Sequence, residues 1–509
     1  MPFLYQGPEW NFDKLKRVHD AIEKIALGEM GLETYPIQIE VITAEQMLDA
    51  YASIGLPILY RHWSFGKRFA RDEVLYRKGY QGLAYEIVIN SDPCICYVME
   101  ENSMTMQALV LAHAAYGHNH FFKNNHLFRQ WTDAAGILDY LAFARDFVAN
   151  CEDRYGIDAV ERVLDAGHAL QTQGVNRYTR RQKRSLAEEL AREKERRHYA
   201  ETTWNPLWTT VPGLDMESEL GGTAQLAVDE ERARAIELPE ENLLYFLEKN
   251  SPVLHGWERE ILRIVRVLSQ YFYPQRQTKV MNEGCATFVH YKIMTRLHEK
   301  SLIDDGAFLE FLHSHTSVVQ QPDFTDKRYG GINPYALGFA VMRDIERVCV
   351  EPTEEDIKWF PDFAGNGDPM GTLKEMWADY RDESFLLQFL GPKVIRDFRM
   401  LRLRDASGEP YFEVTAIHDE QGYRDVRGAL AEEFESARLD PEIQVVEVDL
   451  LGDRRLTLEH RVHEGQRLDR SSAGKTLQHI RALWGYPVRL CEVDAATGES
   501  FPSGEIDLP

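Results

Sequence analysis

The stretch that most limits how this chain can fold is Ala112-His113-Ala114-Ala115-Tyr116-Gly117-His118-Asn119-His120-Phe121-Phe122. Three histidines fall within eight residues, at the end of an apolar run from Ala108 to Ala112 that reads as a buried helix. Much later comes Met281-Asn282-Glu283-Gly284-Cys285-Ala286-Thr287-Phe288-Val289-His290. Imidazoles with a carboxylate are the groups that hold a divalent metal. The two segments are therefore expected to meet around one ion, with His113, His118, Glu283, His290 and His120 as candidate ligands.

A helix brings residues three, four and seven apart onto one side. His113 and His120 are seven apart, and so are Glu283 and His290, so each pair can face one centre. His118 is five from His113, about 140° around an ideal helix. It can join only if the helix ends or distorts near Gly117, and a glycine there favours an ending, with His118 in the first turn of the loop. The HExxH helix of metalloproteases carries a general-base glutamate between two ligands. Here Ala114 occupies that slot, so a base must come from elsewhere, with Glu100, Glu101, Glu152 and Tyr116 as guesses. Asn282-Glu283-Gly284-x-Ala286 resembles the segment that supplies the glutamate ligand in gluzincin aminopeptidases. Zn2+ is the ion such a donor set suggests. A second reading adds Glu161 and His168, again seven apart, for a dinuclear oxidase-like site. Helical two-metal proteins use a Glu-x-x-His spacing instead, which places this reading below the mononuclear one.

At 509 residues the chain is too long for one ordinary core. A net charge of -24 argues against a general binder of nucleic acids or anionic membranes, since the field repels polyanions. Six cysteines are scattered without a CxxC pair, which fits free thiols in a reducing cytoplasm. The start, MPFLYQGPEWNFDKLKR, lacks the apolar core of a signal peptide. No window approaches the roughly 18 apolar residues that span a bilayer. A cytoplasmic protein with no membrane span is expected.

The expected fold is mainly α. A helix over residues 11–30 is capped by Asn11, a short extended piece covers Ile37–Val41, and a helix over Ala44–Ala52 is capped by Thr43. Leu83–Asn90 and Cys94–Glu100, joined by Ser91-Asp92-Pro93, read as a β-hairpin. Helices then dominate. Pro274 is expected to break the one over Trp257–Phe272, and the next runs from Lys279 to Lys300. A zincin-like helix arrangement is open to such a chain. Asn333-Pro334-Tyr335 reads as the start of a helix, with proline in its first turn. Residues 177–198 read as a solvated charged helix, with a docking surface as the lesser reading, and 200–235 as a loop or insert. Strand-like stretches at Tyr411–Ile417, Ile443–Val448 and Leu456–His460, with helices at Arg427–Ala437 and Gly474–Ala482, indicate a separate small α+β domain. The expected division is 1–384 and 385–509.

Other chemistries lack their motifs: there is no phosphate loop of the GxxxxGK[ST] or GxGxxG kind and no GxSxG elbow. Cys285 beside Glu283 reads as a buried spacer.

The chain resembles the stage V sporulation protein R (SpoVR) family, in the branch found in bacteria that do not sporulate. The resemblance rests on Pro8-Glu9-Trp10, His62-Trp63-Ser64-Phe65-Gly66-Lys67, Gly117-His118 with Phe121-Phe122-Lys123-Asn124-Asn125, Met281-Asn282-Glu283-Gly284, and Ile332-Asn333-Pro334-Tyr335 with Leu337-Gly338. It implies a cytoplasmic bacterial protein linked to spore cortex formation in spore formers, and elsewhere to starvation and stationary-phase stress. It also implies partners, a PrkA-type AAA serine kinase and a von Willebrand-like protein, and a non-catalytic adaptor in that complex is the alternative to a metal-dependent hydrolase. The family's Asn-Glu-Gly-Trp-Ala-x-x-Trp-His appears here with Cys285 and Val289 in place of both tryptophans.

Overall fold

The computed structural model describes residues 2–53, 55–56, 59–77, 86–177, 238–405, 412–435, 440–449 and 452–508. Most of the charged stretch 177–198, all of 200–235 and the first residues of the expected hairpin lie outside the described residues. The chain divides into two compact units, Met1–Ile157 with Gln270–Leu439 and Asp158–Ser269 with Asp440–Pro509. Residues 385–439 thus group with the N-terminal helices, and 158–269 with the C-terminal strands.

In the first unit the local signals act as read. Asn11 accepts from the Lys14 N–H and starts the helix Phe12–Glu23, whose buried Leu15, Val18 and Ile22 keep helical spacing. The chain continues as a π-helix, Lys24–Glu29. Thr43 and Gln46 form a capping box at Ala44–Ala52. Three strands, β1 (Ile37–Ile42), β2 (Glu86–Ile89) and β3 (Cys94–Met99), form one sheet in the order β1-β3-β2. The β2–β3 pair is the expected antiparallel hairpin, with Val88 opposite Cys96, and β1 joins β3 in parallel. Side chains alternate across a strand. Ile87 therefore packs on a small core with Met47, Leu48, Ala50 and Met99, while Val88 faces the main core. Glu86 shares the face of Val88 and is carried inward with it.

Ser103 caps the helix Met104–Val110, which runs straight into the π-helix Leu111–His118 and the α-helix Asn119–Asn124. Every residue from Leu111 to His118 is buried. A second long helix, Lys279–Glu299, carries Glu283 and His290. Asp382 accepts from the N–H groups of Val280 and Met281, at 2.8 and 2.9 Å, in its first turn. Two small-residue contacts grip this helix. A Cβ on Gly117 would lie 2.5 Å from the Ala286 Cα, and one on Gly284 would lie 2.6 Å from the Gly338 Cα. Glycine at those positions lets backbones approach where any side chain would force them apart.

Pro274 does not end its helix, which runs through from Gly256 to Gln277. Proline lacks the N–H for the carbonyl four residues back, but its fixed φ suits a helix, so the chain keeps helical dihedrals for one more turn and the helix ends there. Thr278 donates its hydroxyl to the Pro274 carbonyl at 2.7 Å. Asn333 caps Pro334–Val350, with proline in the first turn as expected.

The second unit contains a four-stranded sheet, Glu442–Val448, Leu456–Val462, Val488–Asp494 and Ser500–Leu508, hydrogen-bonded in that order. The two central strands are parallel and the outer pairs antiparallel. The helix Arg470–Trp484 connects the parallel pair, burying Leu477, Ile480, Leu483 and Trp484 and ending at Gly485 in the left-handed region, φ +85°. The fold is mainly helical with small sheets, and its C-terminal part is α+β, as the sequence indicates. In the first unit, Phe412–Ala416 pairs with Arg402–Asp405, and the nearby helix spans Glu420–Glu433.

Candidate metal centre

The helix carrying the three histidines does not end at Gly117; it widens. In a π-helix the hydrogen bonds run i to i+5, so residues five apart come to lie one over the other. His113 and His118 are brought together in this way, their rings perpendicular with centroids 4.6 Å apart. The loop position expected for His118 is thus replaced by a helical one. The same widening breaks the seven-residue relation between His113 and His120. His120 turns away: its Nδ1 lies 3.0 Å from both the N–H and the carbonyl oxygen of Glu33, and its ring meets the Trp377 edge. Burial lowers its pKa to about 4. His120 is not part of the cluster. The helix Lys279–Glu299 stays regular, and there the seven-residue spacing holds, with Glu283 and His290 both facing the histidine segment.

Among the described residues, His113, His118 and Glu283 form the one group of three or more metal-ligand side chains that can share an ion, their donor atoms all within 4.8 Å of one another. Glu283 Oε2 lies 3.8 Å from His113 Nε2 and 3.6 Å from His118 Nε2. Donors arranged tetrahedrally about 2.1 Å from Zn2+ stand about 3.4 Å apart, so the spacing fits an ion with little adjustment. His118 Nδ1 is 2.9 Å from Asn282 Oδ1, which fixes its N–H there and turns the Nε2 lone pair to the cluster. Glu283 Oε2 is buried and has no hydrogen-bond partner among the described residues. Such an unpartnered acceptor beside two imidazoles is a place where a cation would be satisfied.

Two residues that the sequence reading missed complete the surroundings. Glu86 Oε1 is 3.7 Å from His113 Nε2. Burial, with the Glu283 charge adding to it, pushes the Glu86 pKa up to about 8. Burial pushes the Tyr335 phenol up, and the nearby Glu283 charge adds to it. A signal for Glu86 exists: it is the one acid in the apolar run from Leu83 to Ile89. Tyr335 carries no such mark, because its place in the first turn of a helix already accounts for it.

Deeper in, His290 Nδ1 is 2.9 Å from His113 Nδ1, so His290 backs the cluster rather than joining it. Burial holds His113 and His290 well below the usual histidine range. The guessed bases lie elsewhere. Tyr116 pairs with His19 at 3.1 Å, Glu100 and Glu101 are exposed, and Glu152 sits half-buried on Ile137–Tyr155. Glu161 and His168 belong to the second unit and, among the described residues, to no such group of ligands. Cys285 and Val289 are fully buried in the main core. At two and six residues from Glu283 they lie off its side of the helix. Burial pushes the Cys285 thiol well up, in keeping with a spacer.

The family model described as SpoVR like protein matches residues 9–439, and that of the SpoVR-like C-terminal domain matches residues 441–495. A protein of Escherichia coli (strain K12) described as "Uncharacterized protein YcgB" is 54% identical over 487 residues, which cover 96% of this chain and 93% of that protein. No solved structure matches.

Proposed function

This chain belongs to the SpoVR family, and from that premise we propose that it is a metal-dependent, zincin-like hydrolase whose ion is held by His113, His118 and Glu283. The observation that carries the reading is the convergence of two imidazole nitrogens on the buried, unpartnered Glu283 Oε2. Leaving a buried acceptor unpaired costs about 1–3 kcal/mol. One divalent cation would satisfy all three donors together. Two histidines and one carboxylate are the ligands of a catalytic Zn2+ site with an open position. When bound, such an ion polarises a carbonyl and lowers the pKa of water.

The chain's own residues supply the rest. Glu86 is the candidate base: a bound cation would offset its burial and let it ionise, and its carboxylate would then take a proton from the attacking water, the task for which Ala114 is unsuited. Its strand brings it to the cluster on the face it shares with Val88. Tyr335 sets its phenol near Glu283 at the same site.

Metal content after loading with Zn2+ and desalting tests the reading. Wild type is expected to retain about one equivalent and Glu283→Ala none. Wild type that stays metal-free overturns it, and the adaptor role then takes its place. From the family we also infer a cytoplasmic role in stationary-phase or starvation stress, or its cortex-forming counterpart, beside a PrkA-type kinase and a von Willebrand-like protein. Among the described residues no helix is long and apolar enough to cross a membrane, which is compatible with that location. Co-purification of the kinase with the full chain tests the partnership.

A further inference from the structure

A line of three imidazoles runs from the proposed ion site to His315. His113 Nδ1 lies 2.9 Å from His290 Nδ1, and His290 Nε2 lies 2.9 Å from His315 Nδ1. The residues are 5%, 2% and 4% exposed and come from three separate helices. Resting on the metal reading above, we propose that His290 and His315 are positioning residues that set the tautomer of His113, so that a cation binding at His113 Nε2 is transmitted along the line as a tautomer exchange reaching His315.

The argument is one of counting protons. A neutral imidazole carries a single N–H, and each link of the line needs one hydrogen. The three rings are buried and face one another, and an imidazole buried against other imidazoles is held neutral. Only two patterns then satisfy both links. In the outward pattern His113 donates from Nδ1 to His290, and His290 donates from Nε2 to His315, whose own N–H is on Nε2. In the inward pattern His315 donates from Nδ1, His290 donates from Nδ1, and His113 carries its N–H on Nε2, toward Glu86 and Glu283. A cation needs the Nε2 lone pair of His113, so it admits only the outward pattern.

Passing from inward to outward moves one proton across each of the two hydrogen bonds. One proton is taken up from water at His315 Nε2 and one is released from His113 Nε2, so the total charge of the line is unchanged. An N–H held on His113 Nδ1 by His290 leaves Nε2 free to ligate, as partners of ligating histidines commonly arrange.

The test uses the full chain and Zn2+ alone, with affinity measured by chelator competition. His290→Phe keeps a ring and removes both links, and is expected to weaken Zn2+ binding about ten- to a hundred-fold. His315→Leu is expected to weaken it about ten-fold, while His315→Gln, whose carbonyl accepts from His290 Nε2, stays within about two-fold of wild type. A purely packing role for His315 would favour leucine over glutamine. Nitrogen NMR of wild type, which needs no variant to fold, is expected to place the His315 N–H on Nε2 in the Zn2+-loaded protein. Zn2+ binding by His315→Leu equal to wild type, or an N–H on Nδ1 of His315 in the loaded protein, overturns the proposal. Wild type that binds no Zn2+ overturns the metal reading first, a result read before any variant is made.

Discussion

Each unit buries a glutamate beside a histidine, and the two are treated in opposite ways. In the second unit Glu492 accepts from Arg467 Nε and Nη2 at 2.8 and 2.6 Å and from the Leu468 N–H at 3.0 Å, and it lies 3.4 Å from His460 Nδ1. Burial works to raise its pKa, but the Leu468 N–H and the Arg467 guanidinium outweigh it and hold the carboxyl below its usual range. In the first unit Glu283 Oε2 has no partner among the described residues, and Glu86 rises to about 8 because burial is not offset. A buried carboxylate matched by the protein's own cation holds a loop in place. One without such a counter-charge is placed to meet a cation from outside, as proposed above. Burial and proximity to histidine are common to both, so neither feature alone marks a functional site. The internal counter-charge separates them.

The sharpest way to break this contrast is Glu283→Gln. It is expected to weaken Zn2+ binding by more than about a hundred-fold, beyond what loss of a supporting partner costs. In chelator-treated protein the same change should leave the denaturation midpoint equal to wild type or above it, since it removes an unpaired charge. A metal-free Glu283→Gln markedly less stable than metal-free wild type would make Glu283 a structural residue like Glu492. Arg467→Ala tests the other side. Leaving Glu492 without its guanidinium should cost about 1.5–3 kcal/mol in urea unfolding, by the same amount with and without Zn2+. A cost that depends on the metal would contradict the division drawn above.

Gly117→Ala probes how the site is held. Its Cβ would meet backbone of Ala286 at 2.5 Å, which cannot rotate away. About 1–3 kcal/mol of stability should be lost, and Zn2+ affinity should fall with it because His118 moves off Glu283. The smallest effect is on pH dependence in metal-free protein. Glu86 has a raised pKa, so its contribution to stability is full below the unfolded value and is lost as pH rises toward about 8. Glu492 has a lowered pKa, so its contribution is present above the unfolded value and is lost as pH falls through the folded one. Glu86→Gln should flatten the neutral limb of the stability curve and Glu492→Gln the acid limb. Identical curves for Glu86→Gln and wild type would show that Glu86 is not held in its neutral form.

Local chemistry was legible from the residues alone. Asn11, Thr43 and Asn333 cap the helices their side chains mark, Pro334 sits in a first turn, and the hairpin forms around Ser91-Asp92-Pro93. The seven-residue spacing of Glu283 and His290 was readable because the helix Lys279–Glu299 is regular and periodicity is a property of a regular helix. The same rule failed for His113 and His120, where five-residue hydrogen bonding shifts the register and brings in His118 instead. Pro274 does not stop its helix at once, because its fixed φ is helical and only the bond to the carbonyl four residues back is lost.

The sequence by itself determined which side chains could ligate an ion and where the helices begin, since both follow from residue type and short-range geometry. Tertiary structure decided which of them converge. The π-turn, the contacts of Gly117 with Ala286 and of Gly284 with Gly338, and the arrival of Glu86, Tyr335 and His315 from three other elements all depend on partners distant in the chain. Spacing along one segment carries no record of what packs against it.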